Sequence, residues 1–276
     1  MKNNLPIGIF DSGLGGLTVL KALQQILPNE SFLYIGDTAH VPYGNKSKEA
    51  VTKYSEKITQ FLIDNKVKLI IVACNTASSV AIKQLQANFA IPIIDVITPL
   101  GEVLKGYKHN QIKAIGVIGT YNTINSKAYD KIILQYNNTL SIISKACPLF
   151  VPIIEEGLQN HTIAKNACKK YLSDFNNQKI DFLILGCTHY PIMAATIQKT
   201  LNKDITIIDS AKTTAEYIEN YLMHHNLINK QIAAVLNFQP KQIGNLISEV
   251  LVLGFPDDEN EPILIGPDKL VSNGGK

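Results

Sequence analysis

The chain has neither arginine nor tryptophan, so all 26 of its basic side chains are lysines. Without a guanidinium group it has no bidentate clamp for a carboxylate or a phosphate. An anionic ligand must therefore be held by backbone N–H groups, hydroxyls, amides or lysine. The net charge is only +3 and the lysines form no long run. Both features argue against nucleic acid as a main ligand.

Long hydrophobic runs are missing as well. No stretch of about 18 apolar residues occurs, and the amino terminus carries no long apolar segment. We therefore expect a cytoplasmic protein with no membrane partner.

Cysteine is scarce, and its spacing is informative. The four cysteines are Cys74, Cys147, Cys168 and Cys187, and none of them forms a Cys-x-x-Cys pair. This spacing is not that of a disulfide framework, so reduced thiols are expected. Zinc binding needs clustered ligands, and only His189 lies near one of these cysteines in the sequence, which predicts no metal site.

What the chain does contain is an alternation of short apolar runs with amphipathic segments of helical length. With 46% hydrophobic and 18% charged residues, its 276 residues are typical of a globular protein. Strands are predicted at residues 7–11, 32–36, 69–73, 92–96, 112–119, 182–186 and 205–209. Helices are predicted at residues 17–27, 47–65, 79–89, 126–136, 162–175 and 211–227. The pattern predicts a doubly wound α/β fold with mostly parallel sheets.

Two cysteines occupy the same local setting, at the end of an apolar run and before a helical pattern. Cys74 follows residues 67–73, and Cys187 follows residues 180–186. Because ligands of parallel sheets bind beyond the carboxyl ends of strands, we predict two similar α/β domains with the active site in the cleft between them. The first would comprise residues 1–97 plus 211–256, with a helix at 242–253. The second would comprise 98–210, and 257–276 would be a loosely ordered tail.

A lone cysteine at a strand end is usually a small apolar filler, but two in matched settings favour chemistry that needs a pair. A strand end that faces a helix amino terminus is expected to favour the thiolate. A thiolate on one side of a substrate carbon could remove a proton while a thiol opposite donates one, so that the centre inverts. Exchange through a disulfide is disfavoured by the absence of a Cys-x-x-Cys pair.

Other polar residues fall at predicted strand ends. Asp11 and Ser12 lie in a glycine-rich turn that is either a plain connection or part of the cleft. This turn fails as a dinucleotide fingerprint at Thr18, which disfavours a dinucleotide-dependent oxidoreductase. Glu155 and Glu156 are more often surface residues than catalysts. With arginine absent, the candidate holders of a carboxylate are Asn75, Thr76, Thr120, Thr123 and Thr188.

An ordered set of motifs resembles the glutamate racemase family. It comprises FDSGLGGLTV (10–19), GDTAHVPYG (36–44), ACNTAS (73–78), GVIGT (116–120), CPLFVP (147–152) and LGCTHYP (185–191). The resemblance implies interconversion of L- and D-glutamate without a cofactor, for peptidoglycan synthesis. It also implies two α/β domains, the active site between them, and a homodimer.

The resemblance also implies roles for individual residues. Cys74 would act on D-glutamate and Cys187 on L-glutamate. Asp11 would assist near Cys74, and His189 and Glu155 near Cys187. The residues that match substrate-binding positions are Ser12, Tyr43, Gly44, Asn75, Thr76 and Thr188, with Thr120 and Thr123 as additions.

The chain departs from the family pattern at two places. His40 stands where the family often carries arginine, and residues 236–240 lack the usual threonine-rich strand end.

Two other functions remain as alternatives. One is racemisation of aspartate or another acid within the same superfamily, and the other is a ligand-binding or regulatory role on the same scaffold.

Overall fold

The protein forms two mostly parallel sheets that are flanked by helices. A computed structural model describes residues 5–107, 112–201 and 205–228, together with the backbone of 232–243, 246–251, 255–256 and 262–263. We call the part built on the larger sheet the first lobe and the part built on the smaller sheet the second lobe. The predicted α/β fold class, with two α/β domains, is confirmed.

The strands are β1 (Ile7–Asp11), β2 (Ser31–Gly36), β3 (Leu69–Val72), β4 (Ile93–Asp95), β5 (Ala114–Gly119), β6 (Ser141–Ala146), β7 (Phe182–Gly186), β8 (Thr206–Asp209), β9 (Ile232–Ile243), β10 (Leu246–Leu251), β11 (Phe255–Pro256) and β12 (Pro262–Ile263). The helices are α1 (Leu17–Ile26), α2 (Lys48–Asp64), α3 (Asn75–Val80), α4 (Ile82–Asn88), α5 (Leu100–Lys105), α6 (Tyr121–Asn125), α7 (Ala128–Tyr136), α8 (Phe150–Glu155), α9 (Thr162–Asn177), α10 (Ala194–Thr200) and α11 (Ser210–His224).

Strand order places the chemistry-bearing segments at the centre of each sheet. The first sheet has the order β10-β9-β2-β1-β3-β4, and the second has the order β6-β5-β7-β8. All pairings in these two sheets are parallel except that of β10 with β9. Asp11 is in register with Gly36, and Gly119 with Gly186, so the carboxyl ends of neighbouring strands finish level. Loops at these ends therefore lie side by side.

The strands are apolar throughout because helices cover both faces of each sheet. In the first lobe, α1 buries Val19 and Leu23 in one core cluster with Ala215 and Ile218 of α11. In the second lobe, α9 buries Cys168 and similar side chains against β7. Continuous burial on both faces is why the central strands could be located from hydrophobicity alone.

Two predicted helices differ from the structure in their bounds, and one strand and the short helices α5, α6, α8 and α10 were missed. The helix predicted at 79–89 is two helices that meet at Ala81, and the helix predicted at 126–136 begins only after Lys127, which has a left-handed φ of 58°. Strand β6 was not predicted. It lies at the edge of its sheet and its residues are partly exposed, so its apolar signal is weak.

The helix predicted at 242–253 was wrong, because the backbone there forms strands. β9 lies beside β2 in parallel, and β10 pairs with β9 in antiparallel fashion at the sheet edge. Pairing with β2 supplies the backbone hydrogen bonds that a helix would have supplied internally. Gly244-Asn245 in the middle of the segment is a turn signal that the helix prediction overlooked.

The tail predicted at 257–276 lies outside the described residues except for β12, which pairs with β11. Within the part of the chain that is described, none of the helices combines the length and the apolar character needed to span a lipid bilayer.

Candidate active site

Cys74 and Cys187 face the same cavity from different lobes. Cys74 follows β3 and Cys187 follows β7, the two strands that flank β1 and β5. The cavity measures about 30 Å³ and is lined by Ser12, Val41, Pro42, Tyr43, Gly44, Cys74, Asn75, Thr76, Thr120, Val151, Cys187, Thr188 and His189. A larger groove of about 590 Å³ lies between α5 and α11 and contains neither cysteine. The paired thiols, rather than groove size, therefore mark the site.

The Cys74 thiol is buried at the start of α3. It is 4% exposed and accepts a hydrogen bond from the Ala77 N–H at 3.5 Å. Burial raises the pKa of Cys74 to about 12, and the charge of Asp11 adds to the rise. Hydrogen bonds from Ala77 and Ser12 oppose this rise without cancelling it. Cys74 is therefore a neutral thiol at pH 7 in the ligand-free protein.

Cys187 lies in a similar environment in the second lobe. It is 6% exposed, and its Sγ is 3.9 Å from Nδ1 of His189. Burial raises the pKa of Cys187, while the backbone N–H groups of His189 and Tyr190 lower it. The strand-end donors lower the pKa of both thiols, as expected, but they do not make the thiolate the resting form of the ligand-free protein. The donors are present at both cysteines, but desolvation of a charged sulfur outweighs them.

A histidine and a glutamate connect Cys187 to the surface. Nε2 of His189 lies 3.3 Å from Oε1 of Glu155, and Glu155 is half exposed. The imidazole thus has the thiol on one side and the carboxylate on the other. A proton leaving the cavity on this side has a path of ionisable groups to solvent.

Asp11 is fully buried beside the cavity and contacts both lobes. Its Oδ2 accepts a hydrogen bond from the Gly13 N–H at 3.0 Å, and Thr188 Oγ1 lies 3.5 Å from its Oδ1. The backbone carbonyl of Thr188 also accepts a hydrogen bond from Thr18 at 3.0 Å. The loops after β1 and β7 are therefore joined directly.

Amide and hydroxyl groups line the side of the cavity formed by α3 and α6. Asn75 Nδ2 donates to the Tyr129 hydroxyl at 2.8 Å, and Thr76 Oγ1 lies 3.0 Å from Thr120 Oγ1. Thr120 Oγ1 is 3.1 Å from Thr123 Oγ1. Among the residues that the structure describes, Asn75 Oδ1 is one of the few buried side-chain oxygens without a hydrogen-bond partner. It is an acceptor available to a ligand.

The loop after β2 forms another wall. The Tyr43 hydroxyl donates to Oδ2 of the buried Asp37 at 2.6 Å, and His40 Nδ1 lies 2.7 Å from Oδ1 of the same carboxylate. Burial raises the pKa of Tyr43, and so does its hydrogen bond to Asp37. Since its hydroxyl is already engaged, Tyr43 offers the cavity its ring and its backbone.

Ten of the thirteen predicted site residues line the cavity. Three do not, and reach it through neighbours: Asp11, Thr123 and Glu155. Sequence reasoning missed Val41, Pro42 and Val151 in the lining, and Asp37, Tyr129 and Asn122 behind it. Val41 and Pro42 lie inside a motif that was already singled out, so the motif itself was the available signal.

In the described ranges, no group of three or more histidine, cysteine, aspartate or glutamate side chains is arranged to hold a metal ion. The two thiols and the imidazole of His189 line the cavity, and the carboxylate of Asp11 lies behind Thr188.

Comparison with known proteins identifies the family. The family model described as Asp/Glu/Hydantoin racemase matches residues 7–218. The chain belongs to the Asp/Glu/Hydantoin racemase family.

Members of the racemase family resemble this chain in both sequence and structure. A glutamate racemase from Chlorobaculum parvum is 46% identical over 231 residues, which is 84% of this chain and 85% of the relative. The crystal structure of glutamate racemase from Francisella tularensis in complex with D-glutamate has a TM-score of 0.80 and 40% identity, covering 87% of this chain and 90% of that one. A glutamate racemase isoform from Bacillus anthracis has a TM-score of 0.81 and 36% identity, with the same coverage. All thirteen predicted site residues lie within the span that matches the racemase family.

Proposed function

We propose that this racemase interconverts L- and D-glutamate without a cofactor, and thereby supplies D-glutamate for peptidoglycan synthesis. The observation that carries the proposal is the placement of two buried thiols, one from each sheet, on one small cavity. The names of its relatives support glutamate as the substrate, and one of them binds D-glutamate.

The chemistry requires one proton to leave the α-carbon and another to arrive from the opposite face. A thiolate takes the α-proton, which breaks a C–H bond and forms an S–H bond. The opposite thiol then protonates the carbanion, breaking its S–H bond and forming a C–H bond with inverted configuration. Cys74 is assigned to D-glutamate and Cys187 to L-glutamate.

Each buried thiol has to lose a proton before it can act as a base. The ammonium group of a bound amino acid brings a positive charge into the cavity, which favours thiolate over thiol. Asp11 would accept a proton on the Cys74 side, and His189 with Glu155 on the Cys187 side. This division explains why ionisable partners accompany both cysteines.

Neutral groups would hold the substrate, because the chain has no arginine and no lysine is among the described residues that line the cavity. Asn75 Oδ1 is placed to accept a hydrogen bond from the ammonium group, since it is buried and lacks a protein partner among the described residues. Hydroxyl and backbone N–H donors would bind the two carboxylates. These groups belong to Ser12, Tyr43, Gly44, Thr76, Thr120, Thr123 and Thr188.

The decisive assay follows circular dichroism of L- or D-glutamate mixed with the protein, with no pyridoxal phosphate or metal added. The ellipticity should decay to zero from either enantiomer, because the product is a racemate. L- and D-aspartate are measured in parallel. If the ellipticity decays with aspartate but not with glutamate, the proposed substrate is wrong. If it decays with neither amino acid, the proposed racemase activity is wrong.

Replacing each cysteine tests the two-base scheme. Cys74→Ser should abolish proton removal from D-glutamate and Cys187→Ser that from L-glutamate, each with a loss of racemisation of about 10²–10⁴-fold. Exchange of the α-proton in deuterated water, followed from each enantiomer separately, gives the face on which each residue acts. Cys168→Ala, in the core behind β7, is the matched control and should retain activity. Full activity in either serine variant would contradict the scheme.

The proposal includes the larger organisation of the molecule. Residues 1–97 plus 211–256 would form the first lobe and residues 98–210 the second. The packing of α11 against α1 supports a return of the chain to the first lobe near residue 211.

A homodimer in the cytoplasm follows from the family resemblance. Sedimentation equilibrium should then give twice the 30.4 kDa mass of the chain.

A further inference from the structure

The amide of Asn122 joins the second lobe to the loop that walls the cavity in the first. Asn122 is in α6, and its Nδ2 donates to the carbonyl oxygens of Tyr43 at 3.1 Å and Lys46 at 2.7 Å. A primary amide carries two N–H donors, so it can serve both carbonyls at once. These carbonyls belong to one tight turn, in which the Lys46 N–H also donates to the Tyr43 carbonyl.

The turn held by Asn122 is part of the cavity itself. Val41, Pro42, Tyr43 and Gly44 line the cavity in succession. Gly44 lies so close to the second lobe that a Cβ at this position would be 2.9 Å from Cβ of Thr120. While the Asn122 hydrogen bonds are in place, the two lobes are therefore in direct contact along this wall.

The cavity cannot admit an amino acid in this arrangement. Its volume of about 30 Å³ has room for about two water molecules. Sites that hold small molecules usually measure about 300–1,000 Å³. One wall must therefore move before a substrate can reach the sulfurs.

The turn between Tyr43 and Lys46 is the wall best placed to separate from the second lobe. Inside its own lobe it is anchored by the hydrogen bond from Tyr43 to Asp37, so it stays with the first lobe. The other crossing contacts described above involve Thr76, Asn75 and Thr188, which line the cavity. Asn122 does not line it. It can be replaced without altering the groups that would face a ligand.

We infer that Asn122 is a positioning residue that latches this turn onto the second lobe and so controls how often the cavity opens to substrate. This inference depends on the proposed function only for the identity of the ligand that enters the open cavity. The latch itself is a property of the ligand-free protein. Loss of two neutral hydrogen bonds should increase the open population about tenfold.

The test uses the buried cysteines as reporters of opening. The full-length protein is treated with iodoacetamide, and labelling of each cysteine is followed by peptide mass spectrometry. Asn122→Ala should label Cys74 and Cys187 about tenfold faster than the unmodified protein, with Cys168 unchanged. Asn122→Asp should have a larger effect, because its carboxylate would face two carbonyl oxygens.

Asn125→Ala is the matched control, since Asn125 is an exposed residue of the same short helix. Unchanged labelling of the cavity cysteines in Asn122→Ala would overturn the inference, and so would equal acceleration at Cys168, which would mean general loosening. In the racemisation assay, Asn122→Ala should lower KM by up to about tenfold, because a larger share of the protein is in the state that admits substrate, and should leave kcat unchanged, because the proton-transfer groups are not altered. If labelling changes as expected but glutamate is not racemised, the latch stands and the proposed substrate fails.

Discussion

Asp11 raises the pKa of both cavity thiols, although the proposed mechanism needs each of them to become a thiolate. The negative charge of the Asp11 carboxylate makes deprotonation of Cys74 harder, so this carboxylate does not serve by stabilising the thiolate. In the proposed mechanism, Asp11 instead serves as a partner for the positive charge of the bound ligand and as an acceptor of protons. Burial remains the larger cause of the raised pKa at both sulfurs.

Replacing Asp11 separates these two effects. Asp11→Asn should lower the pKa of Cys74 from about 12, because the second-largest cause of its rise is removed. Alkylation of Cys74 by iodoacetamide should then begin at lower pH, while racemisation falls because the proton partner is lost. Glu155→Gln, on the opposite side of the cavity, should leave the Cys74 alkylation profile unchanged. An unshifted profile in Asp11→Asn would show that the carboxylate does not act on this thiol.

At the level of single residues, the cysteines could be predicted, whereas the residues that hold the loop at the cavity wall could not. Cys74 and Cys187 were recognisable because each follows an apolar strand, and parallel sheets bring strand ends together. Asp37 and Asn122 gave no such signal. Their partners are a hydroxyl and two backbone carbonyls that are brought near only by the tertiary fold, so no spacing in the sequence records them.

At the level of elements, hydrophobicity located the central strands and the edge strands β4 and β8, but it missed the strands at the opposite edge of each sheet. β1, β3 and β7 are buried on both faces and were found to within one residue. β6 and the β9–β10 pair lie at edges, where a strand needs less apolar surface and its sequence resembles that of a helix or loop. Lys68 and Glu30, which precede β3 and β2, are buried although charged residues at strand starts are usually exposed.

Lys68 and Glu30 form a buried ion pair at the amino ends of these two strands. Nζ of Lys68 lies 2.5 Å from Glu30 Oε2 and 2.6 Å from the carbonyl oxygen of Leu227, which follows α11. Lys68→Ala should reduce the free energy of unfolding by about 3–5 kcal/mol, because it leaves a carboxylate buried without its charge partner. Urea denaturation measures the change.

The exposed pair of Lys105 and Glu102 is the natural comparison, since both side chains are more than half exposed. Lys105→Ala should change stability by less than about 1 kcal/mol, because water screens this pair. Equal effects of the two lysine variants would mean that burial does not decide the strength of these ion pairs.

At the scale of the whole molecule, the buried thiols link stability to pH. Burial raises the pKa of Cys74 and Cys187 in the native protein above the value of about 8.5 expected in the unfolded chain. Above that pH the unfolded chain gives up thiol protons that the native chain keeps, so stability falls as pH rises toward about 12. Each thiol should contribute a slope of about 1.4 kcal/mol per pH unit.

Urea denaturation in reducing buffer from about pH 7 to about pH 10 measures this slope. The serine hydroxyl of Cys74→Ser does not titrate in this pH range. The free energy of unfolding of this variant should therefore fall less steeply with pH, by the contribution of one thiol. A serine variant that loses stability with pH as steeply as the unmodified protein would argue against a raised pKa at Cys74.

The two-lobe architecture could be predicted from the sequence, but the closed arrangement of the two lobes around the cavity could not. Alternating strands and helices decide which strands join a sheet. The gap between lobes depends on a few side chains, such as Asn122 and Thr18, whose crossing contacts carry no periodic signal.

The sealed cavity also bears on covalent inhibitors. Both sulfurs are neutral and almost fully shielded while the lobes are closed, so a small electrophile in bulk solvent reaches them only when the cavity opens. An effective inhibitor would have to resemble the substrate closely enough to be admitted, and to carry a positive group that converts a thiol to thiolate. Selectivity would then come from the step that opens the lobes rather than from the reactivity of the warhead.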